Sequence, residues 1–96
     1  MTLQELFDKE DKWCQHSFAL SPERQLKDPL DPTACSWCLR GGMWKVGYGI
    51  DLDAVEELLD VYDVIKWNDA PERTFQDIQE AAKKIDELWK STQKSS

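Results

Sequence analysis

The sequence predicts an all-α domain: a compact bundle of about four helices, with a long Pro-rich loop between helices 1 and 2. Apolar residues recur at helical spacing in four stretches, capping residues head several of these, and three of the four prolines fall in one connection. At 96 residues the chain reads as a single domain, 1–96. Its 41% hydrophobic content, with five tryptophans, supplies a core without disulfide staples.

Thr2-Leu3-Gln4-Glu5 has the form of a capping box. Leu3, Leu6, Phe7 and Trp13 follow at helical spacing, so the first helix is predicted over about residues 3–13. Pro22, Pro29 and Pro32 then punctuate a loop from Ser21 to Pro32, because proline lacks a donor and disfavours helix before it. Between them, Gln15 to Leu20 is the one stretch where a short strand or hairpin could intrude.

Asp31-Pro32 suits an N-cap followed by proline in the first helical position, predicting a second helix to about Val46. Cys35, Cys38, Leu39, Gly42 and Val46 would share one face, and Trp37, Gly41 and Trp44 another, which makes this helix central. Gly41-Gly42 costs about 1 kcal/mol per glycine relative to alanine, so a close backbone approach is expected there. Asp51 caps a third helix carrying Val55, Leu58, Leu59, Tyr62 and Ile65. After a connection over Lys66–Thr74, Thr74 and Asp77 open the last helix, whose buried stripe is Phe75, Ile78, Ala82, Ile85 and Trp89. Residues 91–96 are polar and expected to fray, and Trp44 and Trp89 are the tryptophans expected to be exposed.

Lys and Arg number 12 against 19 Asp and Glu, a net charge of −7. That sign disfavours nucleic acid and anionic membranes and favours a protein partner with a basic surface. No apolar run is long enough to span a bilayer, and the N-terminal residues lack a signal-peptide core. A cytoplasmic location with reduced cysteines is therefore expected.

The sharpest chemical hypothesis is zinc. Cys14, His16, Cys35 and Cys38 are ligands that zinc prefers, and Cys-x₂-Cys at a helix start can bring two sulfurs to one side. The competing reading, which the sequence favours, is that Cys35 and Cys38 pack in the core beside Leu39 and Val46. Redox chemistry at Cys-x-x-Cys lacks its βαβ context. A cysteine nucleophile paired with His16 and oriented by Asn68 or Asp69 rests on residue types alone. Glu56, Asp60 and Asp63, spaced along one face of the third helix, form a candidate docking surface for a basic partner. Trp37, Trp67, Asn68, Asp69 and Arg73 form a candidate ligand pocket, set against a plainer role for Trp67–Thr74 as a corner between helices.

Two segments, Ala34-Cys35-Ser36-Trp37-Cys38-Leu39-Arg40-Gly41-Gly42 and Trp67-Asn68-Asp69-Ala70-Pro71-Glu72-Arg73-Thr74, together with Trp13-Cys14-Gln15, resemble an uncharacterised family of small domains of unknown function from bacterial and phage genomes. The resemblance covers about residues 3–90. The family often has Gly-Ala where this chain has Arg40-Gly41-Gly42. It frequently has the cysteine matching Cys38 but not a full four-ligand set, which weakens zinc as a shared property. The resemblance implies a fold and a phage or bacterial context, and no reaction. The expectation is a small acidic non-enzymatic protein, phage-derived, that modulates a host or defence protein by binding it. The alternative is a small-ligand or zinc-binding domain.

Overall fold

The computed structural model describes residues 1–93 and contains five α-helices and a two-stranded antiparallel sheet, so the all-α expectation is corrected to a mixed domain. In chain order the elements are α1 (Leu3–Leu6), a 3₁₀ turn (Glu10–Lys12), β1 (Ala19–Leu20), β2 (Ser36–Trp37), α2 (Leu39–Lys45), α3 (Leu52–Leu59), α4 (Val64–Asp69) and α5 (Phe75–Gln93).

Helix α1 begins as the capping box predicts. The Thr2 hydroxyl accepts from the Glu5 N–H, and the Glu5 carboxylate accepts from the Thr2 N–H at 2.8 Å, which holds Glu5 below the usual carboxylate range. The helix stops at Leu6 rather than continuing to Trp13. By Trp13 the backbone is extended and bridges to Trp37, and the Cys14 N–H donates to the Trp37 carbonyl at 3.0 Å. This pairing across the chain outweighs the local helical pattern.

The second expected helix is also shortened, from the N-terminal side. Residues 36–37 pair with β1 in the register Ala19↔Trp37 and Leu20↔Ser36. The N-cap is therefore Cys38, whose sulfur accepts from the Gly41 N–H at 3.3 Å. Asp31 instead forms a local turn with the Thr33 N–H and hydroxyl. The strand appears within the Gln15–Leu20 stretch where the sequence left room for one. The close approach expected at Gly41-Gly42 is severe. A Cβ on Gly41 would lie 2.0 Å from the Phe18 carbonyl oxygen, and one on Gly42 would lie 2.6 Å from the Phe7 ring. These two glycines let α2 press against the Phe18 backbone, just before β1, on one side and against Leu6 and Phe7 at the end of α1 on the other.

The third expected helix divides in two. Asp51 caps α3, but Asp60 at its end is left-handed (φ 56°), and Asp63 caps a separate α4 through the Ile65 and Lys66 N–H groups. Helix α5 starts at the predicted reciprocal cap: the Thr74 N–H donates to Asp77, and the Asp77 N–H donates to the Thr74 hydroxyl. It presents Ile78, Ala82 and Ile85 to a core shared with Leu3, Leu6, Phe7, Leu39, Met43, Val55 and Val64. It also runs on through Gln93, so residues 91–93 of the expected frayed tail are helical; the remainder lies outside the described residues. Trp44 is exposed at 54%, as expected, whereas Trp89 is half-buried and stacks on Tyr48 with ring centroids 4.8 Å apart. No helix among the described residues is long and apolar enough to cross a membrane.

Candidate functional site

Asn68, fully buried near the end of α4, is the centre of a polar cluster. Its Oδ1 accepts from the Trp13 indole N–H at 2.9 Å and from the Leu39 N–H at 3.0 Å. Its Nδ2 donates to the Cys14 carbonyl at 3.2 Å and to Asp69 Oδ1 at 3.0 Å. Both ends of the amide are thereby used, joining the strand-like backbone at residue 14, the start of α2 and the end of α4. Gln15 reinforces the joint by donating through Nε2 to the Asn68 and Ala70 carbonyls, both at 2.9 Å.

The expected ligand pocket does not assemble around this amide. Trp37 is buried, and its indole N–H donates to the Pro29 carbonyl at 3.0 Å. Arg73 turns instead to Trp67: its guanidinium lies 4.1 Å from the ring centroid, and Nε donates to the Trp67 carbonyl at 2.7 Å. Trp67 and Arg73 thus brace the turn into α5, which is the corner role the sequence offered as the alternative. Of the five residues, Asp69 lines a cleft that it shares with His16 and Cys38, a grouping the sequence offered only as a cysteine nucleophile with its imidazole.

That cleft, of about 260 Å³, is bounded by His16, Ser17, Phe18, Leu26, Cys38, Ile65 and Asp69. His16 is left-handed (φ 67°), a conformation uncommon outside glycine, and this turns its N–H onto Asp69 Oδ1 at 2.8 Å. The exposed His16 imidazole stands with Nδ1 3.7 Å from Asp69 Oδ2. The sequence offered Asn68 or Asp69 as the partner of His16 on residue types alone, since no local spacing reveals a pairing across 53 positions.

The four proposed zinc ligands are not gathered. Among the described residues no group of three His, Cys, Asp or Glu side chains is placed to hold a metal. Cys35 is exposed, with its backbone N–H paired to Leu20 in the hairpin, while Cys14 and Cys38 are buried. The spacing argument assumed that residues 35 and 38 lay in one helix, and β2 separates them. The Cys14 thiol donates to the Ser17 carbonyl at 3.4 Å, and burial pushes its pKa up to about 11. Burial also raises the Cys38 thiol. Both are therefore neutral sulfurs near pH 7, poorly suited to nucleophilic attack.

Glu56, Asp60 and Asp63 no longer share a helical face, because the helix breaks between them. Glu56 Oε2 accepts from the Val64 N–H at 3.0 Å, and Asp63 caps α4. Two of the three carboxylates thus fix the α3–α4 corner. The same corner projects Tyr62 into solvent at 98% exposure, with Leu58 also exposed nearby in sequence.

These features define a small helical domain with one short hairpin, organised around a buried amide. A family of unknown function (DUF6197) matches residues 4–85, and the chain belongs to that family. No curated protein and no solved structure matches it.

Proposed function

We propose that this chain is a small acidic, non-enzymatic protein-binding domain, and that the α3–α4 corner docks on a partner with a basic surface. The observation that carries the reading is Tyr62, 98% exposed on a corner whose backbone is pinned by carboxylate caps. Tyrosine is a frequent interface anchor, since it offers a large amphipathic ring at low entropic cost. A preformed corner avoids much of the ordering penalty of association. Asp60 and Asp63 flank the ring in sequence, and the −7 net charge would accelerate encounter with a cationic surface. In the bacterial and phage setting that the family resemblance implies, such a partner would be a host or defence protein whose action the domain modulates.

The test is a photo-crosslinking amino acid at position 62 in living cells, followed by affinity measurement on the purified adduct partner. Tyr62→Ala should weaken that affinity by at least about tenfold, which is 1.4 kcal/mol. Asp60→Asn, which keeps a residue that tolerates the left-handed backbone, should slow association and reduce its salt dependence. Thermal unfolding should be unchanged in both variants. Undiminished binding by Tyr62→Ala would remove the corner from the interface.

A further inference from the structure

The cleft beside Asp69 is concave, unlike the projecting Tyr62 corner. The geometry points to a binding site for a small amphiphilic amine, with an apolar body between Phe18, Leu26 and Ile65 and a protonated nitrogen on Asp69 Oδ2.

Size comes first. At about 260 Å³ the cleft falls a little below the ~300 Å³ at which pockets for drug-sized ligands begin, so its occupant is small. Three large apolar side chains face this space. Leu26 is 71% exposed and Phe18 is also exposed, and an apolar occupant would remove their surface from water. The Cys38 thiol, neutral because of its burial, adds no charge to the lining.

The polar end is preorganised. Asp69 Oδ1 is held by two donors, the His16 N–H at 2.8 Å and Asn68 Nδ2 at 3.0 Å. Oδ2 meets only His16 Nδ1 among the described residues, and at 3.7 Å that is beyond hydrogen-bond reach. The carboxylate is thus oriented, only 23% exposed, and left with one oxygen that lacks a donor. Asp69 is also the last residue of α4, where negative charge is unfavourable and a cation is welcome. An ammonium on Oδ2 would form a charge-assisted hydrogen bond against apolar walls, whereas an anionic ligand would be repelled. The left-handed backbone of His16 is the kind of local strain that collects at binding sites, and here it serves to fix the carboxylate. A metal ion is a poorer fit for this cation site, since no three suitable side chains converge among the described residues.

The experiment is a titration of the full chain with phenethylamine, followed by amide chemical shifts, with phenylpropionate as the anionic analogue. Phenethylamine should move the His16, Phe18, Ile65 and Asp69 signals saturably, and phenylpropionate should not. Asp69→Asn keeps the Oδ1 acceptor but removes the charge, and should weaken binding by at least about tenfold. Leu26→Lys, at a side chain already mostly in water, tests the same point without touching the Asn68 cluster. It places a competing cation at the cleft and should weaken binding comparably. Absence of saturable shifts, an equal response to the acid, or undiminished affinity in both variants would each overturn the site.

Discussion

Asp86 and Asn68 are both buried polar side chains that tie distant parts of the chain together, but they meet different sets of partners. Asp86, on α5, gathers donors alone: the Leu3 N–H at 2.9 Å, the Gln4 N–H and Nε2 at 3.0 Å, and the Tyr48 hydroxyl. A carboxylate is an acceptor at every position, and the Leu3 and Gln4 N–H donors lie at the start of α1, where helix N–H groups lack partners. Asn68 must satisfy two donors and also a carbonyl, and an amide offers both functions. An aspartate at position 68 could not donate to the Cys14 carbonyl. The mixture of orphaned backbone groups at each junction therefore dictates which side chain closes it.

The comparison is broken most directly by removing the charged member. Asp86→Ala strands the buried Leu3 N–H and the Tyr48 hydroxyl together, and should lower the unfolding free energy by about 3–4 kcal/mol in a urea titration. Asn68→Ala should cost about 2–3 kcal/mol, because the Trp13 indole and the Leu39 N–H lose neutral rather than charge-assisted bonds. A larger loss at Asn68 than at Asp86 would reverse the ranking.

A pH titration sharpens the Asp86 side. Burial, followed by donation to Asp86, raises the Tyr48 hydroxyl above its ordinary value of 10.0. The Cys14 thiol, near the Asn68 cluster, moves from 9.0 to about 11 through burial. In both cases the folded state holds the proton more tightly than the unfolded state. The contribution of these two groups should therefore be constant below about pH 9 and decline as pH rises through 9–11 and beyond. Tyr48→Phe should lower stability at neutral pH by about 1–2 kcal/mol, while reducing the alkaline decline that belongs to this side of the molecule.

The smallest expected effect has the opposite sign. The Ser36 hydroxyl is fully buried in β2 with no hydrogen-bond partner of ordinary geometry among the described residues; it interacts with the soft sulfur of Cys14, a weak acceptor. Ser36→Ala should raise the denaturation midpoint, by about 0.5–1 kcal/mol in free energy. A loss instead would mean that the sulfur contact is worth more than the hydroxyl's desolvation.

How much of this was legible depended on the range of the interaction concerned. Helix α5 was readable in detail because its cap and its stripe from Ile78 to Ile85 are set by neighbours three or four residues apart. The Thr2–Glu5 box and the Asp51 cap were readable for the same reason. The first and second helices were drawn too long. Their residues do have helical spacing, but Trp13, Ser36 and Trp37 gain more from pairing across the chain. The candidate zinc site failed with that helix, since Cys35 and Cys38 fall on opposite sides of a strand-to-helix junction. Asn68, Asp69 and Arg73 were singled out as distinctive, and Asp69 was offered to His16 on residue types alone, but the partners of Asn68 and Arg73 were not visible. Asn68 faces Trp13, Cys14 and Leu39, and Asp69 faces His16.

By itself the sequence determined the acidic charge, the predominance of helix over strand, the caps of α1, α3 and α5, and the close approach at Gly41-Gly42, all consequences of composition or of contacts within one helical turn. Tertiary structure alone decided where α1 ends and α2 begins, that strand β2 separates Cys35 from Cys38, and that His16 and Asp69 share a cleft. The physical reason is that unpaired backbone groups and buried amides must find partners wherever the folded chain supplies them, and those partners are tens of residues away.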